Sequence, residues 1–362
     1  MIGGHARPAQ TPERGGERAA NRVADRSSER GEVRAPAPEG YLRQTVLLAH
    51  GTPFDASAWF RHVADRAVDG LERTTGLGPG VCVAVTRLLH GVGGPVVATV
   101  RLDRGDGSVH ADLDVATRTD VGPATHLLRR WLDLDADTVQ IEDQLRRDPF
   151  LATLVDARPG LRIPGTTDTF ELAVRAVLGQ QVSTAAARTV AGRLVAELAA
   201  PGPAGLRLFP SADTLASVPL DVLRGLGLNT GRAATILVLA RAVADGLDLS
   251  LTADRARARA ALLALPGIGP WTADYVALRA LGDPDAFPAG DLVLRYALAQ
   301  LPGGEGAAVD IRAAAVRASA WRPWRGYAAQ HLWSAWAARA PSGEPAPSRQ
   351  GAQPVSDAGE PP

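Results

Sequence analysis

Two helical patterns joined by a glycine-containing turn constrain this chain more than any other feature. Residues 256–265 are rich in Ala, Leu and Arg without an internal Gly or Pro, so they predict a helix that Pro266 and Gly267 end. A second helix is predicted to begin at Pro270, because proline is favoured in the first helical turn. The string therefore predicts a hairpin of two helices around a turn that contains Gly267 and Gly269.

The backbone amides of this turn predict an anion site. The amides of Gly267, Gly269 and Trp271 can converge at the positive N-terminus of the second helix, which suits a backbone phosphate. The sequence Gly-Ile-Gly alone is more typical of an ordinary connection between helices. The whole string at 265–275, with its Trp-Thr-Ala-Asp-Tyr continuation, is far more specific.

A second glycine turn at 225–227 precedes a helix that opens at Thr230. It offers the same kind of backbone and could form another phosphate loop. Asn229 and Thr230 are both good N-cap residues, however, so an ordinary capped helix start is the favoured interpretation.

Several strings together resemble the helix-hairpin-helix superfamily of DNA glycosylases. In detail they are similar to the branch of DNA-3-methyladenine glycosylase II, the AlkA-type alkylbase glycosylases. The strings are the hairpin, Asp-Leu-Val-Leu at 291–294, and residues 158–165, 170–183, 321–327 and 331–333, and they cover most of residues 158–336. A weaker similarity at 53–55 and 65–68 implies the small mixed domain of that family near the N-terminus.

The resemblance implies that Asp291 is the catalytic carboxylate. An aspartate at this position, just before a helical pattern, is otherwise most often an N-cap. Bases alkylated at ring nitrogens are good leaving groups, and a fixed anion stabilises the positive charge that develops on the sugar. Asp291 is also placed to orient or deprotonate the attacking water.

The resemblance also implies an aromatic pocket for a base that is flipped out of the duplex. Its walls are Trp271, Tyr275 and Trp333, whose electron-rich faces attract a cationic base. Most aromatic side chains belong to the core, and this is what we expect of Trp321, Trp324 and Trp336. His62 stands where relatives have an aromatic residue near the pocket. A neutral imidazole can stack there, but a protonated one repels a cationic base.

Further contacts with DNA follow from the same resemblance. The helix that carries Gln180 and Gln181 meets the minor groove, where Gln181 fills the gap left by the flipped nucleotide and Gln180 lies beside it. Two glutamines on a solvated helix face are the alternative interpretation. Contacts with the DNA backbone are assigned to the hairpin residues Gly267, Gly269, Trp271 and Thr272.

Two absences exclude whole classes of chemistry. The chain has no lysine, and an arginine is too weak a nucleophile to form a Schiff base, so a lysine-dependent lyase step is excluded. Trp271 stands where bifunctional members of the superfamily have a lysine, which implies hydrolysis only. The single cysteine, Cys82, cannot build an iron–sulfur cluster, a cysteine-based zinc site or an internal disulfide, and we expect it in a buried strand. No metal and no cofactor are predicted.

The pattern along the chain predicts an α+β protein. Residues 39–135 form a small antiparallel sheet domain with helices, and residues 136–340 form an all-helical helix-hairpin-helix glycosylase domain. The first domain contains a strand from Thr45, helices at 56–71 and 125–132, a strand at 81–88, and alternating strands at 96–102 and 109–115 joined by a turn at 104–107. Residues 1–38 and 341–362 are predicted to be disordered tails.

Charge and composition complete the functional prediction. The formal net charge is zero, but residues 160–340 contain 18 Arg against 14 Asp and Glu, a net charge of +4, which predicts modest and salt-dependent DNA affinity. No export signal or membrane span is evident, so we expect a cytoplasmic, nucleoid-associated monomer.

We expect a monofunctional DNA glycosylase for alkylated bases, of the 3-methyladenine and 7-methylguanine type, in duplex DNA. It would act in base excision repair and leave an abasic site. The alternatives are a non-catalytic helix-hairpin-helix DNA-binding protein and a monofunctional glycosylase for deaminated or oxidised bases.

Overall fold

The computed structural model describes residues 36–76, 83–103, 107–300 and 308–339. The predicted tails, apart from residues 36–38, lie outside these ranges. Cys82 and residues 104–106 of the predicted turn also lie outside the described residues.

The N-terminal part of the fold is a five-stranded antiparallel sheet. Its strands are β1 (Leu42–Leu47), β2 (Glu72–Thr75), β3 (Val83–Leu89), β4 (Val96–Leu102) and β5 (Val109–Val115), in the spatial order β1-β5-β4-β3-β2. Ala98 pairs with Leu113 and Val100 with Ala111, and all four are buried, which confirms the two alternating runs as neighbouring strands. Strand β2 has no counterpart in the sequence prediction, because Glu-Arg-Thr-Thr lacks apolar alternation.

Two helices pack against this sheet, α1 (Ala56–Arg66) and α2 (Val121–Leu132). The predicted extension of the first helix to Leu71 is wrong. Ala67 has an extended backbone, with φ −58° and ψ 131°, and Gly70 has a positive φ of 85°. The chain therefore turns after Arg66 and enters β2.

The rest of the described chain is helical, apart from an isolated bridge between Pro201 and Arg207 and short 3-10 turns. The helices are α3 (Thr138–Leu145), α4 (Pro149–Ala157), α5 (Thr169–Leu178), α6 (Thr184–Leu198), α7 (Ala212–Ser217), α8 (Leu220–Gly225), α9 (Thr230–Ala244), α10 (Arg255–Leu263), α11 (Pro270–Arg279), α12 (Leu292–Ala299), α13 (Ile311–Ala318) and α14 (Arg325–Arg339). The α+β class is confirmed. No described helix has the length and apolar character needed to cross a membrane.

The helices surround two apolar clusters. One is built mainly from α5 to α11, and the other from α3, α4 and α12 to α14. Helix α11 belongs to both, since Ala273 and Val276 pack in the first cluster and Ala277 and Leu278 in the second. Side chains on the remaining face of α11 therefore lie where the two helical groups meet.

Four charged side chains connect the sheet to α5. Arg87 of β3 donates to Glu72 at 3.0 Å and to Glu171 at 2.7 Å. Arg175 of α5 donates to the same two carboxylates, at 3.2 Å and 2.8 Å. Both carboxylates are almost fully buried and each accepts from two guanidinium groups, so the charges are compensated. This network fixes α5 against the sheet.

Candidate active site and DNA-binding hairpin

The predicted hairpin is formed by α10, a turn and α11. Helix α11 begins at Pro270, as predicted, whereas α10 ends at Leu263, two residues before the predicted end. Gly267 has a positive φ of 85°, and a methyl group there would overlap the Thr235 hydroxyl, so only glycine fits.

The start of α11 is open. Gly269 precedes the helix, and no side chain of the described residues caps it. A methyl group at Gly269 would meet nothing within 4 Å. The amides of the first turn are therefore free of a side-chain cap, and the space beside Gly269 is open.

The sequence prediction that Gln180 and Gln181 lie on a helix is wrong, because α5 ends at Leu178. They lie in the turn that leads to α6. Gln181 is exposed and adopts a left-handed backbone with φ 58°. The side chain of Gln180 turns instead toward the hairpin, where Nε2 donates to the Gly267 carbonyl and to Thr272 Oγ1, both at 3.0 Å.

Asp291 is the N-cap of α12, and its carboxylate is held by three N–H groups. Oδ1 accepts from the Leu294 amide at 2.9 Å and from Trp333 Nε1 at 3.1 Å. Oδ2 accepts from Trp271 Nε1 at 2.9 Å. In the described part of the chain no arginine or histidine forms an ion pair with this carboxylate. Its orientation is fixed by neutral donors, and the nearby positive charge of Arg279 interacts with it electrostatically without a direct ion pair.

The three predicted pocket residues are brought together beside Asp291. Trp271 and Tyr275 stack with ring centroids 5.5 Å apart and an interplanar angle of 20°. Tyr275 meets Trp333 edge to face at 6.4 Å. All three side chains are partly exposed, so their surfaces remain accessible from outside.

Arg279 also belongs to this cluster, although it is not among the site residues predicted from the sequence. It is buried, with 4% of its surface exposed, and its guanidinium lies 5.3 Å from the Tyr275 ring centroid and 5.2 Å from that of Trp333. It donates to the Pro164 carbonyl at 2.9 Å and to Gln330 Oε1 at 3.0 Å. Its position could have been inferred from spacing, because Trp271, Tyr275 and Arg279 follow at intervals of four residues and therefore share one face of α11.

Positive charge from α1 reaches the same cluster. Burial alone would raise the pKa of Tyr275, but the charges of Arg279 and Arg66 lower it overall. The pKa of His62, also on α1, lies well below its usual value because of burial and then of nearby arginine charges, including those of Arg66 and Arg279. His62 is thus neutral near neutral pH, the form that does not repel a cationic base.

The remaining tryptophans and the second glycine turn lie outside the aromatic cluster. Trp321 is buried, and Trp324 and Trp336 pack against the same apolar cluster. At the second glycine turn, the Asn229 side chain accepts from the Arg232 amide at 2.9 Å and caps α9, as the favoured interpretation predicts. The described residues contain no group of three His, Cys, Asp or Glu side chains that could hold a metal ion.

Comparison with known proteins identifies the family. Residues 45–168 match the AlkA N-terminal domain, and residues 174–325 match the HhH-GPD superfamily of base excision DNA repair proteins. The chain is 33% identical over 290 residues to DNA-3-methyladenine glycosylase 2 of Escherichia coli, covering 78% of this chain and 94% of that protein.

Two further comparisons agree. A probable bifunctional transcriptional activator/DNA repair enzyme AlkA of Mycobacterium tuberculosis is 44% identical over 287 residues, which are 78% of this chain. The chain spans only 55% of the length of that relative. The fold matches a 3-methyladenine DNA-glycosylase structure from Archaeoglobus fulgidus with a TM-score of 0.69 and 19% identity, covering 81% and 98% of the two chains. The resemblance inferred from the sequence is confirmed, and the chain belongs to the AlkA family of helix-hairpin-helix base excision DNA repair proteins.

Proposed function

We propose that this chain is a monofunctional DNA glycosylase that hydrolyses the N-glycosidic bond of alkylated bases in duplex DNA. The observation that carries the proposal is the Asp291 carboxylate, which is held by two indoles beside an aromatic cluster and forms no direct ion pair among the described residues. The names of the E. coli and A. fulgidus relatives, both 3-methyladenine glycosylases, support the same reaction and lesion class.

In this reaction Asp291 stabilises the positive charge that forms on the sugar as the base departs. A fixed anion is most effective where water is excluded and where it needs no reorganisation, and its three N–H donors meet the second condition. Oδ1 accepts two hydrogen bonds and Oδ2 accepts one, so more acceptor capacity remains on Oδ2. We assign Oδ2 to the cationic sugar or to the attacking water.

The aromatic cluster receives the flipped base. Trp271, Tyr275 and Trp333 offer ring faces for stacking, and a base that carries positive charge gains cation–π attraction. Arg279 already lies over Tyr275 and Trp333, so the base stacks on the faces that Arg279 leaves open. The hydrogen bonds of Arg279 to Pro164 and Gln330 hold this cation, and with it the two rings, in place.

The hairpin holds the DNA backbone while the base is out of the duplex. A phosphate at the open start of α11 accepts from the amides around Gly269, Trp271 and Thr272, where the helix dipole is favourable. Gln181, exposed in the neighbouring turn, fills the space left in the duplex. In this proposal the protein works as a monomer on nucleoid DNA in the cytoplasm.

The product is an abasic site in an unbroken strand. Cleavage of the strand through a lysine Schiff base is excluded, because the sequence contains no lysine. Water is therefore the nucleophile in the proposed reaction.

The proposal is tested by incubating purified protein with methylated duplex DNA and measuring free base released. Strand integrity is examined before and after alkali, with Asp291→Asn as the inactive variant and Asp148→Asn as a control at another helix start. We expect release by wild type and by the control, with breaks only after alkali. DNA binding without release would favour the non-catalytic alternative, and release of deaminated or oxidised bases alone would change the lesion class.

A further inference from the structure

Gln180 reaches from the turn after α5 to the hairpin, 87 residues further along the chain. Its amide nitrogen carries two hydrogens, and both are used, one on the Gly267 carbonyl and one on Thr272 Oγ1. Thr272 is 2% exposed, so its hydroxyl is a fixed acceptor. Gln180 itself is only partly exposed, unlike its neighbour Gln181.

The orientation of the Gln180 amide follows from the chemistry of its partner. The carbonyl of Gly267 can only accept a hydrogen bond, so the nitrogen of the amide and not its oxygen must face it. A side chain of the same size without an N–H group would leave this carbonyl without the bond.

The opposite side of the hairpin turn is closed by α9. Gly267 packs so closely on Thr235 that a methyl group would overlap the hydroxyl, and Thr235 is itself buried and donates to the Gly231 carbonyl at 2.9 Å. The turn is therefore enclosed between α9 and Gln180. Movement of the Gly267 peptide costs either a steric overlap or the bond to Gln180.

The residue after Gln180 has a constrained backbone. Gln181 has a φ of 58°, a left-handed conformation that costs a residue other than glycine about 1 kcal/mol. Such a conformation persists where neighbouring contacts fix it, and the two bonds of Gln180 are adjacent contacts of this kind. The direction of the exposed Gln181 side chain is thus tied to the position of the hairpin.

We infer that Gln180 is a positioning residue that couples the phosphate-binding hairpin to the turn presenting Gln181, and that it does not itself fill the gap in the duplex. The inference rests on the proposed function. Because both DNA-contacting elements are joined through Gln180, a phosphate held by the hairpin fixes where Gln181 enters the base stack. Binding of the backbone and unstacking of the base are thereby linked.

The test compares the same substitution at two adjacent glutamines. Gln180→Met and Gln181→Met each remove the amide and keep a similar volume, and Gln140→Met on the exposed surface of α3 is the control. Affinity is measured for undamaged duplex and for duplex with a stable abasic-site analogue. A 2-aminopurine beside that site reports unstacking by its fluorescence.

We expect Gln180→Met to weaken binding to undamaged duplex about fivefold, the loss that one neutral hydrogen bond gives, and also to reduce the 2-aminopurine signal. Gln181→Met is expected to change the 2-aminopurine signal and to leave affinity for undamaged duplex within about twofold. Gln140→Met should match wild type in both measurements. If Gln180→Met changes only the fluorescence, as Gln181→Met does, Gln180 is a gap-filling residue and the inference is wrong.

A double-mutant cycle tests whether Gln180 acts through the hairpin. Thr272→Val removes the buried acceptor, and its effect on affinity for undamaged duplex should not add to that of Gln180→Met. Fully additive losses would contradict coupling through Thr272. Should Gln180→Met fail to fold, Gln180→Asn, which shortens the amide by one methylene, replaces it in the same cycle.

Failure of this inference is distinguishable from failure of the proposed function. Affinity and fluorescence need no catalysis, so a loss of affinity in Gln180→Met with no base release by wild type would support the coupling and overturn the glycosylase. Base release by wild type with unchanged affinity in Gln180→Met would support the glycosylase and overturn the coupling.

Discussion

Asp291 and Asp148 have similar surroundings but differ in the number of indole donors and in one ion pair. Each begins a helix and accepts a backbone amide bond from it, and Asp291 accepts two tryptophan indole N–H bonds where Asp148 accepts one. For Asp148 the indole is that of Trp321, at 2.6 Å. Asp148 also forms an ion pair with Arg317 at 2.6 Å, whereas Asp291 has no such pair among the described residues.

In the proposed reaction, this difference explains why Asp291 rather than Asp148 would stabilise a cation. The charge of Arg317 offsets that of Asp148 at short range, so little attraction remains for another cation. The carboxylate of Asp291 is held by neutral N–H groups, which orient it without cancelling its charge. Both sites have a cap bond and at least one indole bond, so the ion pair that Asp148 has and Asp291 lacks among the described residues is the difference that changes the available charge.

The largest expected effect is the difference in base-excision rate between Asp291→Asn and Asp148→Asn. We expect Asp291→Asn to lower the single-turnover rate of base excision by about 10³-fold, because the transition state loses its fixed anion. Asparagine is as good an N-cap as aspartate, so α12 should remain folded. Asp148→Asn should excise within about twofold of wild type when assayed under conditions where it is folded. Comparable losses in both variants would mean that the counter-ion is not the relevant difference.

A third aspartate, Asp133, shows the effect of burial on a carboxylate that forms no ion pair among the described residues. Asp133 accepts from Tyr327 Oη at 2.7 Å and from the Ile163 amide at 3.0 Å, and burial raises its pKa from 3.8 to about 6. A raised pKa means that the folded state favours the protonated form. The stability contributed by Asp133 is thus complete below about pH 4 and is lost as the pH rises through about 6.

The matching variant is Asp133→Asn, whose amide oxygen can accept both bonds. Between about pH 4 and about pH 7 the variant should gain about 2 kcal/mol in free energy of unfolding relative to wild type. Denaturant unfolding at several pH values measures this difference, and subtraction of wild type removes contributions common to both proteins. A constant difference across this range would contradict the raised pKa of Asp133.

The indole bonds give the next comparison. Trp333→Phe keeps an aromatic ring but removes one donor to Asp291, and we expect a fall in excision of about 10-fold, the effect of losing a hydrogen bond to a charged group. Trp321→Phe removes the corresponding donor to Asp148 and should lower the melting temperature without a comparable loss of excision. Equal losses of excision in the two variants would assign the effect to general destabilisation.

The smallest expected effect is the change with pH in the stability contributed by Asp148, which is paired with Arg317. Burial alone would raise the pKa of Asp148, but the bond from Trp321 and the charge of Arg317 contribute to lowering it overall. Its stabilisation is therefore present at neutral pH and lost as the pH falls below about 4, the opposite sign to Asp133. Asp148→Asn should cost about 1 kcal/mol at neutral pH and less in acid, as measured by denaturant unfolding. A cost that grows in acid would contradict the ion pair.

Local patterns made much of this site predictable. The hairpin turn, the helix start at Asp291 and the Asn229 cap depend on residues a few positions apart, whose backbone preferences are visible in sequence. The role proposed for Asp291 rests on the family resemblance, because its local sequence marks it only as one capping aspartate among several.

Contacts between distant segments were not predictable in this way. The bond from Gln180 to Gly267, the Arg279 guanidinium over Trp333 and the Arg317 partner of Asp148 join helices far apart in sequence. The end of α1 and the short strand β2 were also missed, because sheet pairing rather than periodicity determines them.

The buried network of Glu72, Arg87, Glu171 and Arg175 has a consequence for how this protein can be divided. A fragment that keeps α5 but lacks the sheet retains Glu171 and Arg175 and loses the two charges that balance them. Their apolar surroundings would then open to solvent on the helix that leads into the Gln180 turn. The sheet and the helices are therefore not interchangeable modules, and engineering that exchanges one of them between relatives must transfer all four side chains together.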